Sequence, residues 1–388
     1  MRTRCDRIKT ITWPTPLPHA PKTASPISAM LTTKPAGALL FLLVFFSTAP
    51  LSATELGPIN PETIDTIAFG SCAREDQEQP IWETISAEQP DLFLFIGDCM
   101  YADIPKQPES AGDIAAAWRA LGAKPGYQKL LSSCPVLATW DDHDYGLNDA
   151  GKEFALKRQS QTLLLSFFNE PPQSPRWSRE GVYGAWMFGP EGKRVQVLLL
   201  DTRYFRDPID RDPSWKNGAP IGPYRPNGQH EKGTLLGEKQ WAWLETQLRK
   251  PADLRIIGSS IQVVASEHGW EGWCNFPAEQ QRLYDLIGKT KAAGVVFISG
   301  DRHMIEMSKK ADRVPYPMWD FTSSGFTIGH GKTEEPNRYR VGPVLRQPNF
   351  GLIRIDWSAG PTVTLEGKSE RGASLMKQTF ALPTLRPN

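Results

Sequence analysis

Six apolar runs are spaced along the chain, and each ends in small or acidic residues. The runs are Ile64–Phe69, Leu92–Ile96, Pro135–Thr139, Val195–Leu200, Leu254–Ile257 and Val295–Ile298. Runs without polar alternation are typical of strands that are buried on both faces. Helical patterns lie between them, at Pro80–Ala87, Glu153–Asn169 and Glu238–Arg249. This alternation of strand and helix predicts an α/β fold with parallel strands.

The polar residues that follow these runs are expected to lie close together, because ligands bind outside the carboxyl ends of parallel strands. They are Cys72, Asp98, Asp142, Asp201, Ser260, Asp301 and His303. The C-terminal third differs, since its apolar runs have no helices between them: Met318–Thr322, Gly351–Trp357 and Pro361–Leu365. We expect these runs to form a second, more antiparallel sheet packed against the first, within a single domain over residues 54–388.

The N-terminal segment has a separate pattern. The apolar run Ala36–Phe46 follows Lys34 and precedes the small-residue sequence STAPLSA. This order predicts a secretory signal peptide over residues 1–53, cleaved after Ala53, with Met30 as an alternative start. The run is shorter than the ~20 residues of a membrane-spanning helix, so we expect a periplasmic or extracellular protein without a stable membrane span after cleavage. An uncleaved membrane anchor is the alternative.

The overall charge is close to neutral, with 44 Lys and Arg residues against 43 Asp and Glu. This balance argues against specific nucleic-acid binding, which needs a basic surface. An anionic substrate remains compatible, because a bound metal supplies local positive charge. Four cysteines remain after removal of the signal: Cys72, Cys99, Cys134 and Cys274. In an exported protein they could form two disulfides, whose pairing the sequence does not determine.

Two short segments after apolar runs carry candidate metal ligands. In GDCMY, Asp98 and Tyr101 could place two oxygen donors on one metal, and a helix cap with a packed tyrosine is the alternative. In SGDRH, Asp301 and His303 are two residues apart, and alternate side chains of an extended chain share a face. A carboxylate and an imidazole are common ligands of iron, zinc and manganese. Both segments therefore indicate a metal centre at the strand edge.

The segment TWDDHDYGLND is the most acidic of these loops. Its chemistry-bearing residues are Asp141, Asp142, His143, Asp144 and Asp149. So many carboxylates would repel one another unless a cation lies among them, and the preceding apolar run and tryptophan disfavour a solvated acidic loop. Cys72 is packing, half of a disulfide or, given its place at the same edge, a thiolate ligand. A thiolate together with a phenolate would favour a ferric ion.

The order GSC, GDxxY, WDDHD, DTRYFRD and GDRH resembles the PhoD-type alkaline phosphatases and phosphodiesterases, within the calcineurin-like metallophosphoesterase superfamily. The resemblance extends from about Thr66 to Trp357. It implies an α/β sandwich of two mixed β-sheets flanked by helices and a phosphate-ester substrate. It also implies ferric iron, with calcium or another divalent metal, as the cofactors.

The same resemblance implies a role for each motif residue. The implied iron ligands are Cys72, Asp98, Tyr101 and His303. Asp98 would bridge the two metals. Asp142 and Asp301 would bind the second metal, and Asp141 is an alternative to Asp142. His143 would take the place of the superfamily's catalytic acid.

The chain departs from the family pattern in two places. In GSSIQ, Ser260 or Gln262 stands where the superfamily has a metal-binding histidine, and that position could also be left to water. The N-terminus has Arg2 and Arg4 but no adjacent arginine pair, so the twin-arginine export route of many family members is not indicated.

The expected chemistry is hydrolysis by a hydroxide that is activated on or between two metals and attacks phosphorus in line. His143 would protonate or stabilise the leaving oxygen. Arg302 and Arg203 would bind non-bridging phosphoryl oxygens or pair with the acidic edge, and Trp270 and Trp273 would wall the pocket or pack in the core. A phosphodiesterase or phospholipase-type activity at the same site is one alternative, and a non-catalytic, metal-stabilised surface binding module is another. We expect a monomer.

Overall fold

Strands and helices alternate through the computed structural model, which describes residues 62–225, 233–327, 329 and 335–387. Within these ranges the strands are β1 (Thr66–Gly70), β2 (Leu92–Ile96), β3 (Val136–Thr139), β4 (Gly184–Phe188), β5 (Val195–Leu199), β6 (Leu254–Ser259), β7 (Val295–Ser299), β8 (Ile305–Lys310), β9 (Met318–Ser323), β10 (Asn349–Asp356), β11 (Thr362–Ser369) and β12 (Ser374–Ala381). The helices are α1 (Ile81–Ala87), α2 (Ala111–Gly122), α3 (Pro125–Ser133), α4 (Asp142–Tyr145), α5 (Lys157–Phe167), α6 (Gly237–Leu248) and α7 (Pro277–Lys289). The predicted signal peptide, residues 1–53, lies outside the described residues.

The strands form two mixed sheets. The first has the order β12-β11-β10-β1-β2-β3, and the second has the order β4-β5-β6-β7-β9-β8. In the first sheet β1, β2 and β3 are parallel, while β10, β11 and β12 extend it with antiparallel pairing. In the second sheet β5, β6, β7 and β9 are parallel, and antiparallel β4 and β8 form its edges. The predicted α/β architecture with two mixed sheets is confirmed.

The expectation of a separate antiparallel sheet in the C-terminal third is wrong. Its predicted strands do form as β9, β10 and β11, but β9 joins the second sheet and the other two extend the first. The six earlier runs also divide between the sheets, as β1 to β3 and β5 to β7. An apolar run predicts a buried strand, but it does not specify which strand lies beside it.

The two sheets pack face to face. Phe69 of β1 and Phe321 of β9 meet edge to face across the sheets, with ring centroids 5.1 Å apart. On the other face of the first sheet, Phe93 and Phe95 of β2 pack against Trp82 of α1. Helices α6 and α7 contribute side chains to the apolar cluster that includes the second sheet. Every residue of β2 is buried, as expected for a strand covered on both faces.

The predicted helices form with shifted ends. α1 begins at Ile81, after Pro80 as its N-cap. The pattern Glu153–Asn169 contains the shorter helix α5, and Glu238–Arg249 corresponds to α6. Helices α2 and α3 have no counterpart among the predicted helices. They pack on the same side of the first sheet as α1 and α5. They therefore do not alter the carboxyl ends of the strands, where the ligands were expected.

Candidate metal centre

The loops after β1, β2 and β7 carry four residues with left-handed backbone conformations. They are Cys72 (φ 62°), Asp98 (φ 47°), Asp301 (φ 68°) and His303 (φ 50°). Residues other than glycine rarely adopt this conformation, and such strain concentrates at functional sites. Each of the four is a predicted metal ligand that lies just past the carboxyl end of a strand. The strained turns therefore coincide with the predicted ligands.

Cys72, Asp98, Tyr101 and His303 come together as a first group. The Cys72 thiol and the Tyr101 hydroxyl each donate to Asp98 Oδ2 at 3.3 Å. The Tyr101 oxygen is also 3.1 Å from His303 Nε2. The candidate ligand atoms of Cys72, Asp98 and His303 lie within 4.8 Å of one another. The four residues that the family resemblance assigns to iron thus lie at one point.

Asp141, Asp142 and Asp301 form a second group, whose carboxylate oxygens lie within 4.8 Å of one another. Asp98 links the two groups, because candidate ligand atoms of Asp98, Asp142 and His143 also lie within 4.8 Å of one another. Oδ2 of Asp141 and Oδ2 of Asp301 are buried without a hydrogen-bond partner among the described residues. Buried polar atoms are normally paired, and an unpaired carboxylate oxygen is costly. These two orphaned oxygens fit a cation held between the acids.

Burial and like charges raise the pKa values of the first group. Burial and the Asp142 carboxylate raise the pKa of Asp98, while burial and Asp98 raise the pKa values of Cys72 and Tyr101. A bound cation has the opposite effect, because it favours the ionised ligands. The donor set of thiol, phenol, imidazole and carboxylate therefore suits a metal ion.

His143 lies beside both groups and is oriented by two neighbours. Its Nδ1 is 2.6 Å from Asp103 Oδ1, and its ring stacks on Tyr101 with centroids 4.0 Å apart. Burial lowers the pKa of His143, but the carboxylates of Asp142, Asp98 and Asp103 outweigh it and raise the pKa to about 11. These carboxylates therefore favour the protonated imidazole. Because Asp103 takes the Nδ1 side, Nε2 is the nitrogen left for a proton transfer.

Arg203 is fully buried in an ion-pair network next to the second group. Its Nε donates to Asp141 Oδ1 at 2.6 Å, and its Nη1 and Nη2 donate to Glu271 at 2.9 and 2.6 Å. Carboxylate oxygens of Glu271, Asp142 and Asp149 also lie within 4.8 Å of one another, so Arg203 neutralises part of a larger acidic cluster. A guanidinium without exposed surface cannot meet a substrate from solvent. The structure thus argues against substrate binding by Arg203 and favours the ion-pair alternative.

Arg302 is largely buried between the second group and Glu335. Its Nη2 donates to Glu335 at 2.7 Å, and its Nη1 lies 3.8 Å from Asp301 Oδ2. Its Nε is buried without a hydrogen-bond partner in the described part of the chain. The guanidinium covers the ring of Trp270 at 5.2 Å. Trp270 is half-buried and can wall a pocket, whereas Trp273 is fully buried in the core.

The two candidates for the missing histidine have different surroundings. Ser260 Oγ donates to Asp141 Oδ1 at 2.6 Å, so it lies beside the second group. Gln262 donates instead to Glu306 and Thr322 at 2.9 and 2.8 Å, on β8 and β9. Of the two, Ser260 reaches the centre, where it helps to orient Asp141.

The four cysteines of the described chain are buried and form no disulfide with one another. The option of two disulfides is therefore not realised in this fold. The Cys99 thiol faces the Thr139 carbonyl at 3.8 Å, whereas the Cys72 thiol faces the Asp98 carboxylate. Cys72 is thus neither half of a disulfide nor surrounded by apolar side chains alone.

Two residues that shape the site are absent from the predicted set. Asp103 orients His143, and Glu271 holds Arg203. Asp103 stands just after GDCMY in the same loop, and this proximity was the available signal in the sequence. Glu271 lies in HGWEGW, distant in sequence from the predicted ligands, and it meets Asp142 and Arg203 only in the folded chain, so the sequence offered no signal for it.

The chain is similar to known proteins over most of its described residues. The sequence model of the PhoD-like phosphatase family matches residues 67–352. Alkaline phosphatase D of Bacillus subtilis (strain 168) is 23% identical over 279 residues, a match that covers 61% of this chain and 46% of that protein. The chain therefore spans about half the length of the curated relative that it matches.

Two solved structures share the fold. The structure of PhoD superimposes with a TM-score of 0.66 at 16% identity, covering 84% of this chain and 71% of that chain. The purple acid phosphatase PPD1 from yellow lupin (Lupinus luteus) seeds superimposes with a TM-score of 0.52 at 13% identity, covering 83% of this chain and 55% of that chain. These likenesses confirm the metallophosphoesterase-type sandwich. None of the helices in the described ranges is long and apolar enough to cross a bilayer.

Proposed function

The chain belongs to the PhoD-like phosphatase family, and from this premise we propose that it hydrolyses phosphate esters at the metal centre of its strand edge. The observation that supports this proposal is the convergence of the predicted ligands and His143 just past strands of both sheets. Cys72 and His303, from opposite ends of the fold's sequence, approach one Asp98 carboxylate. A structural ion-pair cluster would not need a thiol, a phenol and an imidazole around that carboxylate.

We assign the two groups of ligands to two different metals. The residues proposed for ferric iron are Cys72, Asp98, Tyr101 and His303. The residues proposed for calcium or another divalent ion are Asp98, Asp141, Asp142 and Asp301. Thiol and phenol donors favour the first assignment, and the all-oxygen second group favours a hard divalent ion. When bound, the cations supply Lewis-acid stabilisation of the phosphoryl oxygens and activation of the attacking water.

His143 is the proposed general acid. Water supplies the new oxygen on phosphorus, the bond from phosphorus to the leaving oxygen breaks, and that oxygen takes the proton from His143 Nε2. Asp103 on Nδ1 and the stacked Tyr101 ring fix the imidazole for this transfer. Proton transfer of this kind contributes roughly 10²–10⁴-fold to the rate.

Arg74 meets the needs of a substrate-binding cation better than Arg203. Its guanidinium lies 5.8 Å from the centroid of the Tyr101 ring, and its side chain remains 22% exposed. Its partner Asp76 is on the surface, where such a pair stabilises little and can open. We propose that Arg74 binds a non-bridging phosphoryl oxygen, with Arg302, whose side chain is 9% exposed, as a second cation.

A combined activity and metal assay tests this function. The purified protein should release 4-nitrophenol from 4-nitrophenyl phosphate, lose activity on chelation and recover it when metals return. Bis(4-nitrophenyl) phosphate, assayed in parallel, measures the preference for monoesters or diesters. A metal-loaded protein that hydrolyses neither ester would instead support a metal-stabilised surface binding module.

His143→Asn tests the proposed acid. Turnover should fall by roughly 10²–10⁴-fold on an alkyl phosphate while metal content stays unchanged. The loss should be smaller on 4-nitrophenyl phosphate, because 4-nitrophenolate leaves readily without a proton. Asp103→Asn, which weakens the contacts of Asp103 with His143 Nδ1 and with Asn148 N, should give an intermediate loss. Near wild-type turnover of the alkyl ester at full metal occupancy would remove His143 from the mechanism.

We propose that the mature protein acts in the periplasm or outside the cell. The order of Lys34, the apolar run Ala36–Phe46 and the sequence STAPLSA supports this location. N-terminal sequencing of the exported protein should begin close to Thr54. A mature chain that keeps the apolar run would indicate a membrane anchor instead.

A further inference from the structure

Two isoleucines are the exposed large apolar side chains among the described residues, Ile104 at 37% and Ile221 at 40%. Single exposed apolar residues are common on protein surfaces and need no explanation alone. Here, however, both lie on loops that form hydrogen bonds with residues beside the metal centre. Their location is therefore the observation to explain.

The two loops form hydrogen bonds with neighbouring residues of the segment that follows α4. Asp103, directly before Ile104, bonds His143 Nδ1 through Oδ1 and accepts from Asn148 N through Oδ2 at 2.7 Å. Tyr224, three residues after Ile221, donates its hydroxyl to Asp149 Oδ2. Asn148 and Asp149 are adjacent in the chain. The loops of Ile104 and Ile221 are therefore both bonded to this one segment beside the metal centre.

A chain of contacts through two tryptophans connects Ile221 to Arg302, the neighbour of the predicted ligand Asp301. Trp215 Nε1 donates to the Ile221 carbonyl at 2.8 Å, and its ring meets Trp270 edge to face at 5.9 Å. Trp270 is in turn covered by Arg302, whose Nη1 is 3.8 Å from Asp301 Oδ2. The polar edge of Trp215 is thus satisfied within the loop, and its ring contributes apolar surface.

The loop that carries Trp215 and Ile221 is hydrogen-bonded to the loop that carries Trp270. Gly222 N donates to the His268 carbonyl, and Tyr224 N donates to the Gly269 carbonyl, each at 2.7 Å. A Cβ on Gly222 would lie 2.4 Å from the Gly269 oxygen, so the two backbones are in close contact. This pairing fixes the positions of the two loops relative to each other. We call Ile104, Trp215, Ile221 and Trp270 the apolar margin.

We propose that the apolar margin binds the alcohol part of the ester, so that this enzyme prefers phosphate esters of alkyl-chain alcohols to those of small polar alcohols. This inference rests on the proposed function and specifies the substrate class of the same site. The leaving oxygen lies at His143, whose partner Asp103 precedes Ile104. A chain that extends from that oxygen can therefore lie along Ile104 towards Ile221 and the indoles. Each methylene that leaves water can raise kcat/KM by up to about fourfold.

Butyl, hexyl and octyl phosphate provide the test, because their leaving alcohols are almost equally acidic. Release of inorganic phosphate should give a kcat/KM at least tenfold higher for the octyl ester than for the butyl ester. Ile104→Ser and Ile221→Ser should each remove much of that gain. Leu131→Ser, which removes a part-buried apolar side chain from α3, should retain the gain.

The outcomes separate this inference from the proposed function. Equal kcat/KM for the three esters in wild type, or an undiminished gain in both isoleucine variants, would overturn the role of the apolar margin. Absence of hydrolysis of every ester, including 4-nitrophenyl phosphate, would overturn the proposed function instead. In that case calorimetric binding of butylphosphonate and octylphosphonate still decides the inference, since equal affinities would contradict it and tighter octylphosphonate binding would support it.

Discussion

Cys72 has the surroundings of a metal ligand rather than of a packed core cysteine. It is fully buried, its backbone is left-handed, and its thiol faces a carboxylate. Cys134 offers a contrast, because it is also buried and free but follows α3 on the outer side of the first sheet. Four chemically identical side chains are thus distinguished by what surrounds each of them.

Replacement of Cys72 tests the iron assignment at the scale of one residue. In Cys72→Ser a poorly acidic hydroxyl replaces an easily ionised thiol, so we expect iron to be lost or weakly bound. The wild-type protein should be coloured by charge transfer from thiolate and phenolate to the ferric ion, and the variant should lose this colour. Elemental analysis and visible absorption measure both effects. Cys134→Ser should keep iron and colour, and equal iron in wild type and Cys72→Ser would rule out this ligand.

At the scale of elements, the loops after β2 and β3 approach each other very closely. Gly97 directly follows β2 and has φ +82°, and a Cβ there would lie 2.5 Å from the Asp141 Cβ and 2.7 Å from the Asp141 N. Only glycine allows both the backbone conformation and the contact. This close approach places Asp98 and the Asp141–Asp142 pair on either side of one centre.

Gly97→Ala should therefore disturb both stability and metal binding. The left-handed backbone alone costs an alanine about 1–2 kcal/mol, and overpacking against Asp141 adds about 1–3 kcal/mol. Gly192→Ala is the matched control, since Gly192 has the same φ of +82° but nothing within 4 Å of the added Cβ. Urea unfolding and metal analysis of both variants measure the effects. Equal destabilisation with unchanged metal content in both would show that the contact with Asp141 is unimportant.

At the scale of the whole molecule, one buried histidine links stability to pH. His268 is buried, and its Nδ1 accepts from Trp270 N at 3.0 Å. Burial, together with the charges of Arg302 and Arg340, lowers its pKa well below the usual 6.5. Below about pH 6.5 the unfolded chain therefore binds a proton that the folded protein does not. This difference makes the free energy of unfolding fall as the pH drops.

His268→Gln should flatten this acid dependence. Between pH 6.5 and 5.5 the wild type should lose about 1 kcal/mol more of its unfolding free energy than the variant. Above pH 7 the two proteins should show the same slope, because His268 is neutral in both states there. Chemical denaturation at several pH values provides the measurement. Parallel curves for wild type and variant below pH 6.5 would show that His268 does not contribute.

The sequence alone predicted most strands and most of the residues that lie together at the proposed site, because both depend on local properties. The run LFLFI predicts a buried strand wherever it lies, and β2 is buried throughout. The acid of GDCMY and the Asp301-His303 pair follow strand ends directly, and the carboxyl ends of parallel strands form one edge. Residue type and short spacing therefore determined which residues would meet at the centre.

Only the tertiary structure decided what depends on contacts between distant segments. An apolar run does not encode its neighbour, so the division of the strands between two sheets could not be predicted. From the sequence DTRYFRD, Arg203 is a candidate substrate ligand. In the folded chain it is buried and hydrogen-bonded to Asp141 and Glu271, each more than 60 residues away. Arg74 shows the reverse, because its exposure beside Tyr101 depends on the fold of two separate loops. Local sequence specifies which groups are present, whereas burial and partners arise only when remote segments pack together.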